Sequence, residues 1–171
     1  MSGLPRKINK SRRNREPGRV VRVPVADGVT SFGRQLLGTE VEFYDLFLAP
    51  DEEPDLISLP DHPVLFRVYV MDYAFKRTGS WQLLDVVTLT DEEAGRVSRR
   101  WKRDPINGRL SIYWSDTANE TWGDEPATPE ECVGLEQAAV WDPEHVEARL
   151  RAHLAGNPVW PAARSGPFTL E

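Results

Sequence analysis

Cysteine is almost absent from this chain. Cys132 stands alone among 171 residues, so no internal disulfide can form, and the composition suits a reducing compartment. Histidine is scarce as well: His62, His145 and His153 are the whole supply. No Cys-x-x-Cys or His-x-x-x-His spacing occurs, and His145 and His153 sit eight apart, unlike the four-apart ligands of zinc helices. Gly-rich phosphate loops are missing, since Gly33 and Gly38 are isolated. No apolar run approaches ~18 residues, which excludes an expected transmembrane helix. Ser11, Arg12, Arg13 and Asn14 faintly resemble a twin-arginine signal, but Glu16, Pro17 and charged residues follow in place of an apolar stretch. A cytoplasmic location is therefore expected.

What is present is an ordinary globular composition, 40% hydrophobic and 28% charged, with a length that suits one domain. Charge is divided unevenly. Residues 1–19 carry a net +6 and the rest a net −12, which gives the overall −6. An acidic body repels nucleic acid and attracts basic partners, mainly through association rate and specificity. Residues 1–17 lack apolar periodicity and read as a disordered basic tail. Residues 18–156 form the expected single domain, and 157–171 an irregular C-terminal tail.

Valine-rich and aromatic runs at 19–25, 30–37 and 40–48, punctuated by Asp27-Gly28 and Gly38-Thr39, predict a meander of hairpins. Pro24 marks an edge or a bulge. Residues 49–63 are rich in proline and acid and read as a surface connection, with Leu56, Ile57 and Leu59 packing back. Further strands are expected at 64–71, 81–89, 109–114 and 120–122. Residues 64–71 hold one charge, Arg67, and should be covered on both faces.

Three helix starts are visible. Thr90 with Glu93, and Thr128 with Glu131, each spell a capping box, and Pro129 follows the second cap. Asp142, Pro143 and Glu144 repeat the start signal, and Gly156 reads as a stop. Cys132, Leu135, Ala139 and Val140 recur at helical spacing, as do Val146, Leu150 and Leu154. The expected class is α+β: a strongly curved, mostly antiparallel sheet or partly open barrel carrying a C-terminal helix pair.

Chemistry is harder to find. Cys132 lies on an apolar stripe and reads as a packing residue. His145 and His153 read as solvated helix histidines. The runs Asp51-Glu52-Glu53, Asp91-Glu92-Glu93 and Glu130-Glu131 read as solvated carboxylates, whereas acid–base catalysis needs one buried. No catalytic residue, cofactor or metal ligand is therefore named. Aromatics at expected strand ends are the better signal, because Trp and Tyr anchor interfaces. The candidate partner-binding set is Tyr44, Tyr73, Trp81, Trp114 and Trp122, with Asp45, Asp72, Asp116, Asp124 and Glu125 for charge complementarity.

Several stretches resemble the immunity protein 26 family of bacterial polymorphic toxin systems. They are residues 23–34, Phe43 to Leu46, 63–74, Trp81, Ser111 to Trp114 and, most specifically, 131–150. The resemblance spans about residues 18–155. It implies a protein that neutralises a cognate toxin by tight stoichiometric binding in the producing cell, and it carries over no catalytic residue. The acidic body suits a basic target such as a nuclease. Two other readings are open. One is a nucleic-acid-binding barrel using the basic N-terminal tail, although no aromatic interleaves those cations for stacking. The other is an enzyme whose carboxylates converge in a cleft. Exposed aromatic edges also suit a homodimer.

Overall fold

The computed structural model describes residues 15–76 and 79–157. Two sheets and a few helices make an α+β fold with no closed barrel. The first sheet is a meander: β1 (Arg19–Ala26), β2 (Val29–Gln35), β3 (Glu40–Leu48) and β4 (Val64–Val70) pair antiparallel in succession. β5 (Gln82–Val86) joins the outer side of β1. The register shifts between Pro24 and Ala26, so the proline marks a bulge in an interior strand. Gly33 faces Phe43 across β2 and β3, and a Cβ there would stand 2.8 Å from the Phe43 ring. A larger residue would push that ring out of the core.

A single-turn helix, α1 (Asp91–Ala94), leads into the second sheet. β6 (Ser98–Arg103), β7 (Leu110–Asp116) and β8 (Thr121–Pro126) form an antiparallel ribbon. β6 is absent from the sequence expectations. Its four cations in six residues hide an alternation that buries Ser98 and Arg100 on one face and Trp101 on the other.

The expected C-terminal helix pair is reduced to one helix and one turn. The helix start after Thr128 forms with its capping box, but α2 (Pro129–Cys132) stops after four residues. Gly134 then takes a left-handed φ of 79°, which ends helical geometry. The spacing of Leu135, Ala139 and Val140 belongs instead to extended chain. β9 (Glu136–Gln137) pairs parallel with β6, and β10 (Val140–Trp141) pairs parallel with β4. Residues 136–141 thus strap the two sheets together. α3 (Pro143–Leu154) forms as expected and ends before Gly156, whose φ is 74°. The Asp142 carboxylate does not cap it; it accepts a hydrogen bond from the Tyr73 hydroxyl at 2.8 Å.

The main core lies on one face of the first sheet. Val21, Val23, Val41, Phe43, Phe66 and Val68 pack there under Val146 and Leu150 of α3, with Phe75 and Trp81. Part of the opposite face is apolar, with Val20, Phe32, Tyr44 and Leu59. Leu56 and Leu59 pack back as expected, whereas Ile57 is 90% exposed and packs against nothing. A smaller cluster of Trp101, Ile112 and Cys132 fixes α2 to the second sheet.

Where the sheets meet, the contact is ionic. Within the first sheet, Glu42 accepts from Arg34 Nη2 at 2.8 Å, Arg67 Nε at 3.1 Å and the Tyr44 hydroxyl. Glu40 accepts from Arg96 at 2.9 Å and Arg100 at 2.8 Å. Arg34 also meets Glu93, so that carboxylate is not solvated as its run suggests. Arg100 lies 4.4 Å over the Tyr69 ring and donates to the Arg67 carbonyl at 2.6 Å. Buried charges of this kind stand only when each has partners. Here the carboxylates of β3 hold guanidinium groups from both sheets.

Candidate partner-binding surface

The second sheet presents the most exposed aromatic surface. Its ribbon is shaped by two turns built from carboxylates. Asp104 accepts backbone hydrogen bonds from Ile106 at 2.8 Å and Asn107 at 3.1 Å. Asp116 accepts from the backbone and side-chain amides of Asn119 at 3.1 and 2.8 Å. The side-chain and backbone bonds from Asn119 hold the Asp116 carboxyl below its ordinary range. Asp116 is therefore a turn-building residue as well as a candidate contact.

Pairing puts Tyr113 opposite Asp124 and Ser115 opposite Trp122, so these four share one face. Trp122 is 70% exposed, and its ring centroid lies 6.4 Å from that of half-buried Tyr113. Lys102 stands 5.8 Å over the Tyr113 ring and pairs with Asp124. The Lys102 hydrogen bond is the main cause that lowers the Asp124 pKa. Trp114, Glu125 and Asp116 point to the other face. Trp114 is half-buried and folds over Gly123; a Cβ at Gly123 would come within 2.7 Å of its indole. An open depression of about 730 Å³ lies at the far end of this sheet, between Lys102, Arg103, Arg109, Ser111, Asp124 and Glu125.

Five of the ten sequence candidates thus come together on β7 and β8: Trp114, Asp116, Trp122, Asp124 and Glu125. The other five lie elsewhere. Tyr44 is wholly buried and donates to Glu42; burial first, then the Glu42 charge, raises its pKa. Trp81 is 3% exposed, edge-on to Phe43 and Phe75, with its indole N–H on Glu147 at 2.9 Å. Both belong to the core and are corrected from surface anchors to packing residues: Tyr44 lies midway along β3 and packs with Phe32 and Leu59, and Trp81 is covered by Phe43 and Phe75. Asp45 is exposed on β3, apart from the other candidates. Asp72 and Tyr73 form a second exposed pair on a 3-10 turn (Asp72–Phe75) beside the start of α3.

Arg15 reaches that turn. It pairs with Asp72, donates to the Val70 carbonyl and lies 4.6 Å over the Phe75 ring. The expected disordered tail therefore gives way to docked chain by Arg15, earlier than Pro17. The remaining cations of the tail, at 6, 7, 10, 12 and 13, lie outside the described residues.

Cys132 is buried as expected, and burial raises its thiol pKa. His145 is largely exposed. His153 is not solvated: it stacks 5.7 Å from Phe66 beside Arg149, and its Nε2 is buried without a hydrogen-bond partner. Burial and then the Arg149 charge lower its pKa. No group of three or more metal-ligating side chains is present among the described residues. No helix among them is long and apolar enough to cross a membrane.

The candidate list omits Tyr113 and Lys102, which complete the exposed cluster. A simple signal marks this region. From Leu110 to Ala148 the chain has no lysine or arginine, yet it holds ten acids, beginning with Asp116 and Glu120 and ending with Glu147. Compared with known proteins, the chain matches no family model, no curated protein and no solved structure.

Proposed function

We propose that this protein is a stoichiometric inhibitor that binds a protein partner through the second sheet, and that the partner is a cognate toxin neutralised in the cytoplasm of the producing cell. The observation that carries the binding reading is Trp122. It is a large indole left 70% exposed beside Tyr113, in a stretch otherwise dominated by acids. Aromatic anchors ringed by charge are what a specific protein interface uses, the ring for contact area and the charges for steering. The resemblance of residues 131–150 to immunity protein 26 sequences supplies the toxin. The run of ten acids without a basic residue supplies a basic target, for which a nuclease is the natural case.

The test is co-expression with the product of the adjacent gene. Rescue of growth and a complex on a sizing column support the reading; Trp122→Ala weakens that complex by ~2 kcal/mol. Association slows as salt rises, because the steering charges are screened. Neither rescue nor complex would discard the toxin reading. The same column reports any homodimer of the free chain.

A further inference from the structure

β8 pairs only with β7, so one long side of the second sheet ends in an open strand. Among the described residues no strand or helix covers that outer side. Its backbone N–H and C=O groups are therefore free to pair with another chain. On the opposite side the two-residue β9 lies against β6, so β8 is the longer terminal strand of this sheet.

We propose that β8 is a docking edge that takes an extended, basic strand of the partner protein by sheet extension. This rests on the reading of the protein as a protein-binding inhibitor, and it names the mode of binding and the chemistry of the partner segment. Charge selects the occupant. Glu120, Asp124 and Glu125 lie on or beside β8, with no lysine or arginine in the chain until Arg149. The nearest cations are Lys102 and Arg103 of β6 and Arg109 just before β7, which gather round the depression at the Glu125 end of the sheet and leave the Glu120 end acidic. Lys102, moreover, is paired with Asp124.

A second copy of β8 is rejected, because acids would face acids across the new pairing. A strand with lysine or arginine at alternate positions meets the opposite charge. Simple protection of an edge would not need an exposed tryptophan. Trp122 stands on the edge strand itself, where an added strand would cover its ring against Tyr113. Backbone hydrogen bonds would supply affinity, and the side chains of one face specificity.

The experiment uses the full-length chain and a blocked six-residue peptide alternating lysine and valine, matched to the length of β8. Amide hydrogen exchange is followed residue by residue. The expected result is new protection at alternate residues of β8, those whose N–H groups point away from β7. A peptide of the same sequence N-methylated on alternate residues, and one with glutamate for lysine, give no protection. Glu125→Lys together with Glu120→Lys weakens the basic peptide by about tenfold or more, while leaving the far-UV spectrum unchanged.

Equal binding of the N-methylated peptide would overturn strand addition in favour of bare electrostatics. So would absence of protection at β8 up to millimolar peptide, or protection of these amides in the free chain, which would mean that the edge is already taken. Growth rescue by a chain whose β8 amides ignore both peptide and partner sinks this inference alone. Alternate-residue protection without any rescue sinks the toxin reading alone.

Discussion

The two sheets hold their charges in opposite ways. The first buries them: Glu40, Glu42 and Arg34 are almost without solvent contact, and each has at least one ionic partner, with Arg100 of the second sheet on Glu40. The second sheet keeps its carboxylates at turns and on its open edge, where Asp124 and Glu125 are exposed. Its own apolar cluster is small, with three buried members. A buried, fully paired charge is committed to the fold, because moving it strands a partner. An exposed charge next to an exposed indole is still available. The first sheet is therefore read as scaffold and the second as working surface.

The sharpest way to break that contrast is to remove Glu40. Glu40→Ala leaves Arg96 and Arg100 short of a carboxylate at the joint between the sheets, and should cost about 3–5 kcal/mol in urea unfolding. A loss below ~1 kcal/mol would show that the ionic joint is not what holds the sheets. Next in size is Ile112→Ala in the small cluster, expected to cost ~2–3 kcal/mol, at the low end of such truncations because few neighbours surround it. Trp122→Ala should separate the two roles, changing stability by less than ~0.5 kcal/mol while costing ~2 kcal/mol of partner binding. Equal losses in both would make Trp122 a packing residue and dissolve the distinction. Thr128→Ala deletes one half of the capping box over α2 and should cost ~1 kcal/mol.

The smallest effect is a pH dependence within the scaffold. Burial and Arg149 depress the His153 pKa below its unfolded value of about 6.5. The unfolded chain then binds the proton more readily, so the stability contribution present above that value is lost as pH falls through it toward the folded pKa. Urea midpoints should drop slightly from pH 7.5 to 5.5, and the part due to this residue should vanish in His153→Gln. An unchanged pH slope in the variant would assign the dependence to other groups.

Much of the first sheet was legible because its strands alternate or run apolar between turn residues. β3 spans the expected residues 40–48, and the Thr90 and Thr128 capping boxes both form. The class, α+β, follows from the same pattern. Legibility failed where local signals competed with long-range pairing. After Cys132 the helical spacing is real, but Gly134 breaks the turn and backbone pairing with β6 and β4 wins. β6 escaped notice because its buried face carries Arg100, a residue whose burial is set by Glu40, sixty residues away in sequence. Trp81 and Tyr44 read as surface anchors because sequence says nothing of what folds over a strand or its flank. Trp122 looked the same and is exposed. That difference arises from three-dimensional neighbours alone.

Synthesis order gives α3 a particular responsibility. Strands β1 to β5 leave the ribosome long before Val146 and Leu150, the side chains that seal their apolar face. Until those residues emerge, Phe43, Phe66 and Val68 face water or whatever binds nascent chains. A messenger cut short before codon 143 would therefore yield a greasy, aggregation-prone product in place of a smaller working one.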